Sequence, residues 1–163
     1  MAVHTATIEW VRNDSKFTDN QYSRVHTWRF DGGIAVPASS SPHVVRVPLS
    51  NPANVDPEEA FVAALSSCHM LWFLNLAAGK GYVVDTYTDH AQGFMEKNES
   101  GKEWVSRVVL CPHIAFSGAK VPNDANVEGL HHEAHAECYL ANSVKTSVET
   151  AGSWQFLNGA VHR

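Results

Sequence analysis

The chain has 163 residues, 44% of them hydrophobic, and a formal net charge of -5. That length suits a single domain spanning residues 1–163, and an acidic chain with no run of Lys or Arg argues against nucleic acid or an anionic membrane as a partner. The start "MAVHTATIEW" lacks a basic segment followed by an apolar one, and the apolar stretch "HMLWFLNLAAG" is short and interrupted for a bilayer span, so a cytoplasmic protein is expected.

In chain order, residues 3–12 ("VHTATIEWVR") alternate Val3, Thr5, Thr7 and Glu9 against His4, Ala6, Ile8 and Trp10, which reads as a strand. "YSRVHTWRF" (22–30) alternates in the same way before the turn "DGG", and "HVVRVPL" (43–49) reads as a third short strand ending near Pro48. The period then changes. Asp56 is an N-cap candidate, Pro57 suits the first helical position, and Glu58 and Glu59 suit the positive end of the helix dipole. Phe61, Leu65, Cys68, Trp72 and Leu76 recur at helical steps, and a helix over 56–78 that is apolar on most sides should be buried centrally. Residues 82–96 and 103–117 read as two long strands joined by the polar loop "KNESG". A second helix over 121–144, with Asn123 or Asp124 as its start, precedes a closing strand at 145–152. The order implies an α+β fold in which antiparallel sheet covers the helices. A helix with so little polar face has more apolar surface than this chain's sheet can cover, which predicts a dimer that shares its shell.

Histidine is abundant, at 10 residues, and "HHEAHAEC" places three of them close to a cysteine. The H-E-x-x-H zinc pattern is absent, but His131, His135 and Cys138 fall at helical spacing and form a possible three-ligand stripe. His132 reads as solvated. Three cysteines, Cys68, Cys111 and Cys138, are too few and too odd in number for a secreted disulfide scaffold. Cys68 and Cys138 each fall within a predicted helix, where a cysteine is either a small core hydrophobe or, given a cation or donor, a reactive thiolate. Cys111, on a strand before Pro112, reads as structural. Arg24, Arg29 and Arg46 are the candidate cations, and Glu58 and Glu59 the nearest carboxylates in sequence. Glu58 stands ten residues before Cys68, about 15 Å along a continuous helix, so any Glu–Arg–Cys cluster needs a broken helix or a second subunit.

"VDPEEAFVAALSSCHM" resembles the "NPEELxxAAxxACF" segment of the OsmC/Ohr family of organic hydroperoxide reductases, and "AHAECYLANSVKTSVE" resembles that family's second-cysteine helix and following strand. "YSRVHTWRFDGG" and "HVVRVPL" fall where the family has its early strands, so the likeness covers nearly the whole chain. It implies an OsmC-like intertwined homodimer whose sheets wrap two long central helices. It also implies a thiol peroxidase: Cys68 attacks an organic hydroperoxide, its sulfenic acid condenses with Cys138, and a dithiol such as a dihydrolipoyl group on a lipoyl-bearing protein reduces the disulfide. Glu58 matches the motif carboxylate. The activating arginine matches Arg24 or Arg46, with Arg24 preferred from its position before "DGG". No bound cofactor is implied. Phe61, Leu65, Trp72 and Phe73, near Cys68, suit an apolar substrate and equally suit core packing. The sequence departs from the family at His69, where many relatives have Phe, at "AECYLANS" in place of a "CPxS" form, and at His131 and His135, which the minimal chemistry does not use. Because a fold does not fix an activity, a non-catalytic OsmC-like protein that binds a small apolar or thiol-reactive ligand is the alternative.

Overall fold

The computed structural model describes residues 1–157. The chain divides into two compact units, Met1–Ala60 and the part from Phe61 onward. In the first, Ala6–Glu9 (β1), His26–Phe30 (β2) and Ala35–Ala38 (β3) form an antiparallel meander, with Ile8 opposite Trp28 and Trp28 opposite Val36. β3 was not legible as a strand, because it is short and contains Pro37, which has no N–H to give to a ladder. The expected strand at 43–49 is absent. Its backbone makes local turns instead: the N–H groups of Val44 and Val45 both donate to the Ser41 carbonyl, and that of Leu49 donates to Arg46.

Pro57–Gly79 forms one unbroken helix, α1. Its start is a reciprocal cap. The Glu59 N–H donates to Asp56 Oδ1 at 2.8 Å, and the Asp56 N–H donates to Glu59 Oε2 at 3.3 Å. Pro57 occupies the first position, where a missing N–H costs nothing. At 23 residues α1 is long and apolar enough to meet the length and composition of a membrane span, contrary to the expectation from its second half alone. Here it is a core helix with one buried line, Leu65, His69, Phe73 and Ala77. The rest of its surface is half-buried or exposed, so within one chain it is not covered on all sides.

From Phe61 onward, Val83–Asp89 (β4), Gln92–Lys97 (β5), Glu103–Leu110 (β6), Pro112–Ser117 (β7), Asp124–Glu137 (α2), Ser147–Thr150 (β8) and Ser153–Phe156 (β9) build two three-stranded sheets, β4-β7-β9 and β5-β6-β8. The two long strands expected at 82–96 and 103–117 are each broken once, giving an inner hairpin β5–β6 and an outer pair β4–β7. Asp89 marks the break: its Oδ1 accepts the Cys111 N–H at 2.6 Å, which takes that donor out of the ladder. The expected loop "KNESG" is the hairpin turn, organised by the Asn98 side chain, which accepts from the N–H groups of Ser100 and Lys102. The sheets are mixed and not wholly antiparallel, since β8 runs parallel to β6 and β9 parallel to β7.

Two apolar clusters lie against α1. Phe73, Ala77 and Tyr82 pack with Ile114 and Phe116 of β7 and with Val127, Leu130 and Ala134 of α2. Leu65 packs with Val108 and Leu110 of β6, flanked by Phe61 and Val62. The second contact is close: a Cβ added at Gly93 of β5 would stand 2.5 Å from Val62 Cγ2. Val62 is β-branched and stiff, so the helix would have to give way. Gly129, on α2, has nothing within 4 Å of such a Cβ. Gly93→Ala should therefore destabilise the fold by about 1–3 kcal/mol through overpacking, whereas Gly129→Ala should stabilise it by about 0.5–1 kcal/mol by lowering the entropy of the unfolded chain. Urea unfolding of the two variants checks the opposite signs.

Candidate functional site

Cys68 lies midway along α1, beside its buried line, and is half-buried. α2 begins at the Asn123 cap, whose side chain accepts the Asn126 N–H while the Asn126 side chain accepts the Asn123 N–H. The helix stops at Glu137, earlier than the sequence pattern suggests. Cys138 is therefore the C-cap, with ψ at 111°, and not a mid-helix residue. No glycine marks this end. Instead the Asn142 side chain donates to the carbonyls of Ala136 at 2.8 Å and Cys138 at 3.0 Å, which satisfies groups that the helix end leaves open.

This end brings Cys138 to Cys68. Both thiols are free, and they lie close enough for Cys68 to raise the Cys138 pKa. Cys138 is 1% exposed. Burial, followed by the contact with Cys68, raises the Cys138 pKa, while the N–H groups of Ala141 (3.4 Å from Sγ) and Leu140 pull it down. Cys138 thus holds its proton more tightly than an ordinary thiol, and Cys68 is the more exposed of the two sulfurs. Trp72, one turn beyond Cys68, meets Tyr139 edge-on, with ring centroids 5.6 Å apart.

A second pair of side chains joins the same two helices. His69 Nε2 and His131 Nδ1 are 3.0 Å apart, with the rings nearly parallel at 13°. Phe73 lies against His131, with centroids 4.5 Å apart. Desolvation first, then the charge of His135, lowers the His69 pKa to about 4 against the opposing pull of Asp89. Desolvation and then His69 lower that of His131 to about 4. Asp89 also accepts the Ser66 hydroxyl from α1, so it ties that helix to the β4 end. The sequence singled out His69 and His131 separately; their pairing, and the roles of Asp89 and Ser66, exist only in three dimensions.

Of the other predicted residues, Arg24 and Glu58 lie in the N-terminal unit. The Arg24 guanidinium donates to the carbonyls of Asn20 and Tyr22 and sits 3.7 Å over the Tyr22 ring. Arg46 is exposed, and Arg29 pairs with Glu9 at 2.6 Å across β1 and β2. Glu58 is half-buried in the first turn of α1. His132 and His135 are exposed. Among the described residues, no three or more His, Cys, Asp or Glu side chains are arranged to hold a metal ion, so His131, His135 and Cys138 do not form the ligand stripe that their spacing allowed. His131 turns to His69 instead. A cavity of about 550 Å³ opens beside α2, lined by His131, His135, Glu128, Val148 and Trp154 among others. Phe61, Leu65 and Phe73 are engaged in the core.

The family model for OsmC-like protein matches residues 50–151. An OsmC-like protein of unknown function from Vibrio cholerae is 57% identical, with a TM-score of 0.90 over 93% of this chain and 99% of that one. The same fold, at 15% identity, is found in an organic hydroperoxide resistance protein from Elizabethkingia anophelis, with a TM-score of 0.65 over 96% of this chain and 98% of that one. The organic hydroperoxide resistance protein OhrB of Bacillus subtilis is also 15% identical, with a TM-score of 0.59 over 94% and 98%. Among curated proteins, none is similar to the chain.

The histidine pair makes stability depend on pH. Both rings bind a proton less readily in the fold than at their ordinary value of 6.5. The unfolded chain therefore carries more protons between about pH 6.5 and 4, so stability is complete above this window and falls as pH drops through it. Urea unfolding across that range should show a steeper loss for the native protein than for a His69→Gln/His131→Asn variant, in which neither position titrates.

Proposed function

This chain belongs to the OsmC-like family, and from its facing thiols we propose that it is a thiol-dependent peroxidase reducing organic hydroperoxides to alcohols. The observation that carries this reading is the nearness of a half-exposed Cys68 to a buried, proton-holding Cys138. The organic hydroperoxide resistance proteins that share the fold support the substrate class.

In the first step the Cys68 thiolate attacks the outer oxygen of ROOH. The O–O bond breaks, the alkoxide takes a proton to leave as ROH, and Cys68 becomes a sulfenic acid. In the second, the Cys138 sulfur attacks the Cys68 sulfenic sulfur. The S–O bond breaks, and hydroxide leaves as water with the Cys138 proton. A dithiol, such as a dihydrolipoyl group, then reduces the disulfide by exchange and departs as its own disulfide. Neither step needs a bound cofactor. The reading places the protein in the cytoplasm, where a pool of reducing thiols returns it to the dithiol state.

The proposal includes a homodimer. Only four of the residues of α1 are buried, and Leu71 on its open side is 61% exposed. In the N-terminal unit Ile8 is 59% and Ile34 66% exposed. A second copy covering such surface would let Glu58 of one subunit serve Cys68 of the other, which its distance along its own helix forbids. Arg24, in preference to Arg46, supplies the guanidinium that holds the thiolate and the charge on the departing oxygen. Glu58 orients that arginine.

Hydroperoxide consumption with a dihydrolipoyl reductant should fall to background in Cys68→Ser. Cys138→Ser should complete one turnover, stop at a trappable sulfenic acid, and need an external thiol to go further. Arg24→Ala should slow sulfenic acid formation by at least tenfold, the order expected for a lost charge-stabilising contact. Binding of hydroperoxide with no turnover under any dithiol would replace catalysis by the ligand-binding role.

A further inference from the structure

The histidine pair carries an inference that rests on this reading and extends it to the resolving step. His69 follows Cys68 directly on α1, and His131 precedes Cys138 by seven residues on α2. Seven residues are nearly two helical turns, so His131 lies on the face of α2 that leads to Cys138. The same face carries Val127, Leu130 and Ala134, all buried in the cluster that includes Phe73 of α1. The His69–His131 bond is thus a directed contact inside an otherwise apolar helix–helix seam.

Its direction follows from what is left unpaired. His69 is 1% exposed, and among the described residues its buried Nδ1 has no hydrogen-bond partner. A buried N–H without an acceptor is the rarer and costlier defect. Nδ1 is therefore the bare nitrogen, and Nε2 carries the hydrogen and donates to His131 Nδ1. His131 then carries its own hydrogen on Nε2, on the ring that lines the cavity beside α2. Both rings are neutral, and the bond has one sense only.

Apolar packing holds helices together but tolerates sliding and rotation of the contact. A single-sense hydrogen bond buried in the seam does not, because displacing it strands two polar atoms away from water. We propose that His69 and His131 are positioning residues that clamp α1 to α2 and so hold the Cys138 sulfur ready to close on the oxidised Cys68. Among the described residues, neither ring makes a hydrogen bond to either sulfur. Closure requires the sulfurs to approach to about 2.05 Å. With His131 fixed, that movement is confined to the C-cap and the turn Ala141–Ser143 that follows it. In the closing step the Cys138 sulfur bonds to the Cys68 sulfur and the sulfenic oxygen leaves as water, so nothing else is consumed. The clamp raises the effective concentration of one sulfur at the other.

The test measures that concentration without hydroperoxide. The protein is equilibrated in buffers of reduced and oxidised dithiothreitol, and the Cys68–Cys138 disulfide is quantified by mass spectrometry after acid quench. His131→Phe and His69→Phe, which keep an aromatic ring and lose the bond, should lower the effective concentration by roughly threefold to tenfold, the worth of one buried hydrogen bond. His131→Asn, with an acceptor near the Nδ1 position, and His69→Gln, with a donor near Nε2, should recover most of the loss. With hydroperoxide added, the ratio of disulfide closure to sulfenic acid formation should fall in the Phe variants and recover in the others. Equal effective concentrations in native and Phe variants would overturn the clamp. A native disulfide that weakens in the Phe variants while no hydroperoxide is turned over would uphold the clamp and remove the peroxidase. Should the Phe variants fail to fold, the native protein still decides: nitrogen-15 NMR should show a slowly exchanging N–H on His69 Nε2, and its absence overturns the proposal.

Discussion

The site depends on one packing constraint: α1 buries a single line of side chains, and α2 lies against it. Leu65, His69, Phe73 and Ala77 recur every four residues and so form a narrow stripe along the helix. Cys68 stands beside that stripe and not within it, which leaves its sulfur at the edge of the seam. Each large side chain buried there contributes about 1.5–3 kcal/mol. The relation of the two sulfurs is therefore set by the whole seam.

The ends of the helices supply the rest. α1 is anchored at its start by the Asp56–Glu59 cap and again in its middle by Ser66 on Asp89. α2 is anchored at its start by the Asn123–Asn126 box and at its end by Asn142. Cys138 sits where helix gives way to extended backbone, a place where a modest change in dihedral angles moves a side chain without unpacking a helix. Burial then distinguishes the two sulfurs: Cys68 is half-exposed, whereas Cys138 is buried and held above its ordinary pKa.

The sequence disclosed what local chemistry governs. Asp56, Pro57 and the acidic residues after them marked the start of α1 to within a residue, because caps and dipoles act over one turn. The hairpin at "KNESG" was legible for the same reason. The breaks near His90 and Cys111 were not, since apolar alternation continues through both, and the break is made by a carboxylate from another strand. The stretch 43–49 alternates like a strand but has no partner strand, and its amides turn back on Ser41 and Arg46. The end of α2 was misplaced because Asn142 performs the work that glycine would signal. Cys68 and Cys138 were visible as candidates through family resemblance, whereas the His69–His131 bond has no local signature: one partner is followed by Met70, the other by His132, and either could face solvent.

That last case shows what the seam asks of its polar members. A histidine buried as deeply as His69 would ordinarily be replaced by an aromatic hydrocarbon ring of similar size, which fills the space and leaves no nitrogen unpaired. The chain instead retains a ring that is held neutral by burial, makes one bond, and leaves one nitrogen bare. On stability alone this is a loss relative to a well-packed apolar pair. A buried polar pair of this kind gives uniqueness of register in return, as a single polar residue does in a coiled-coil seam. Register between α1 and α2 is the quantity on which approach of the two sulfurs depends, because no disulfide joins the helices. The position next to Cys68 is thus where a directional bond has the shortest lever to that sulfur.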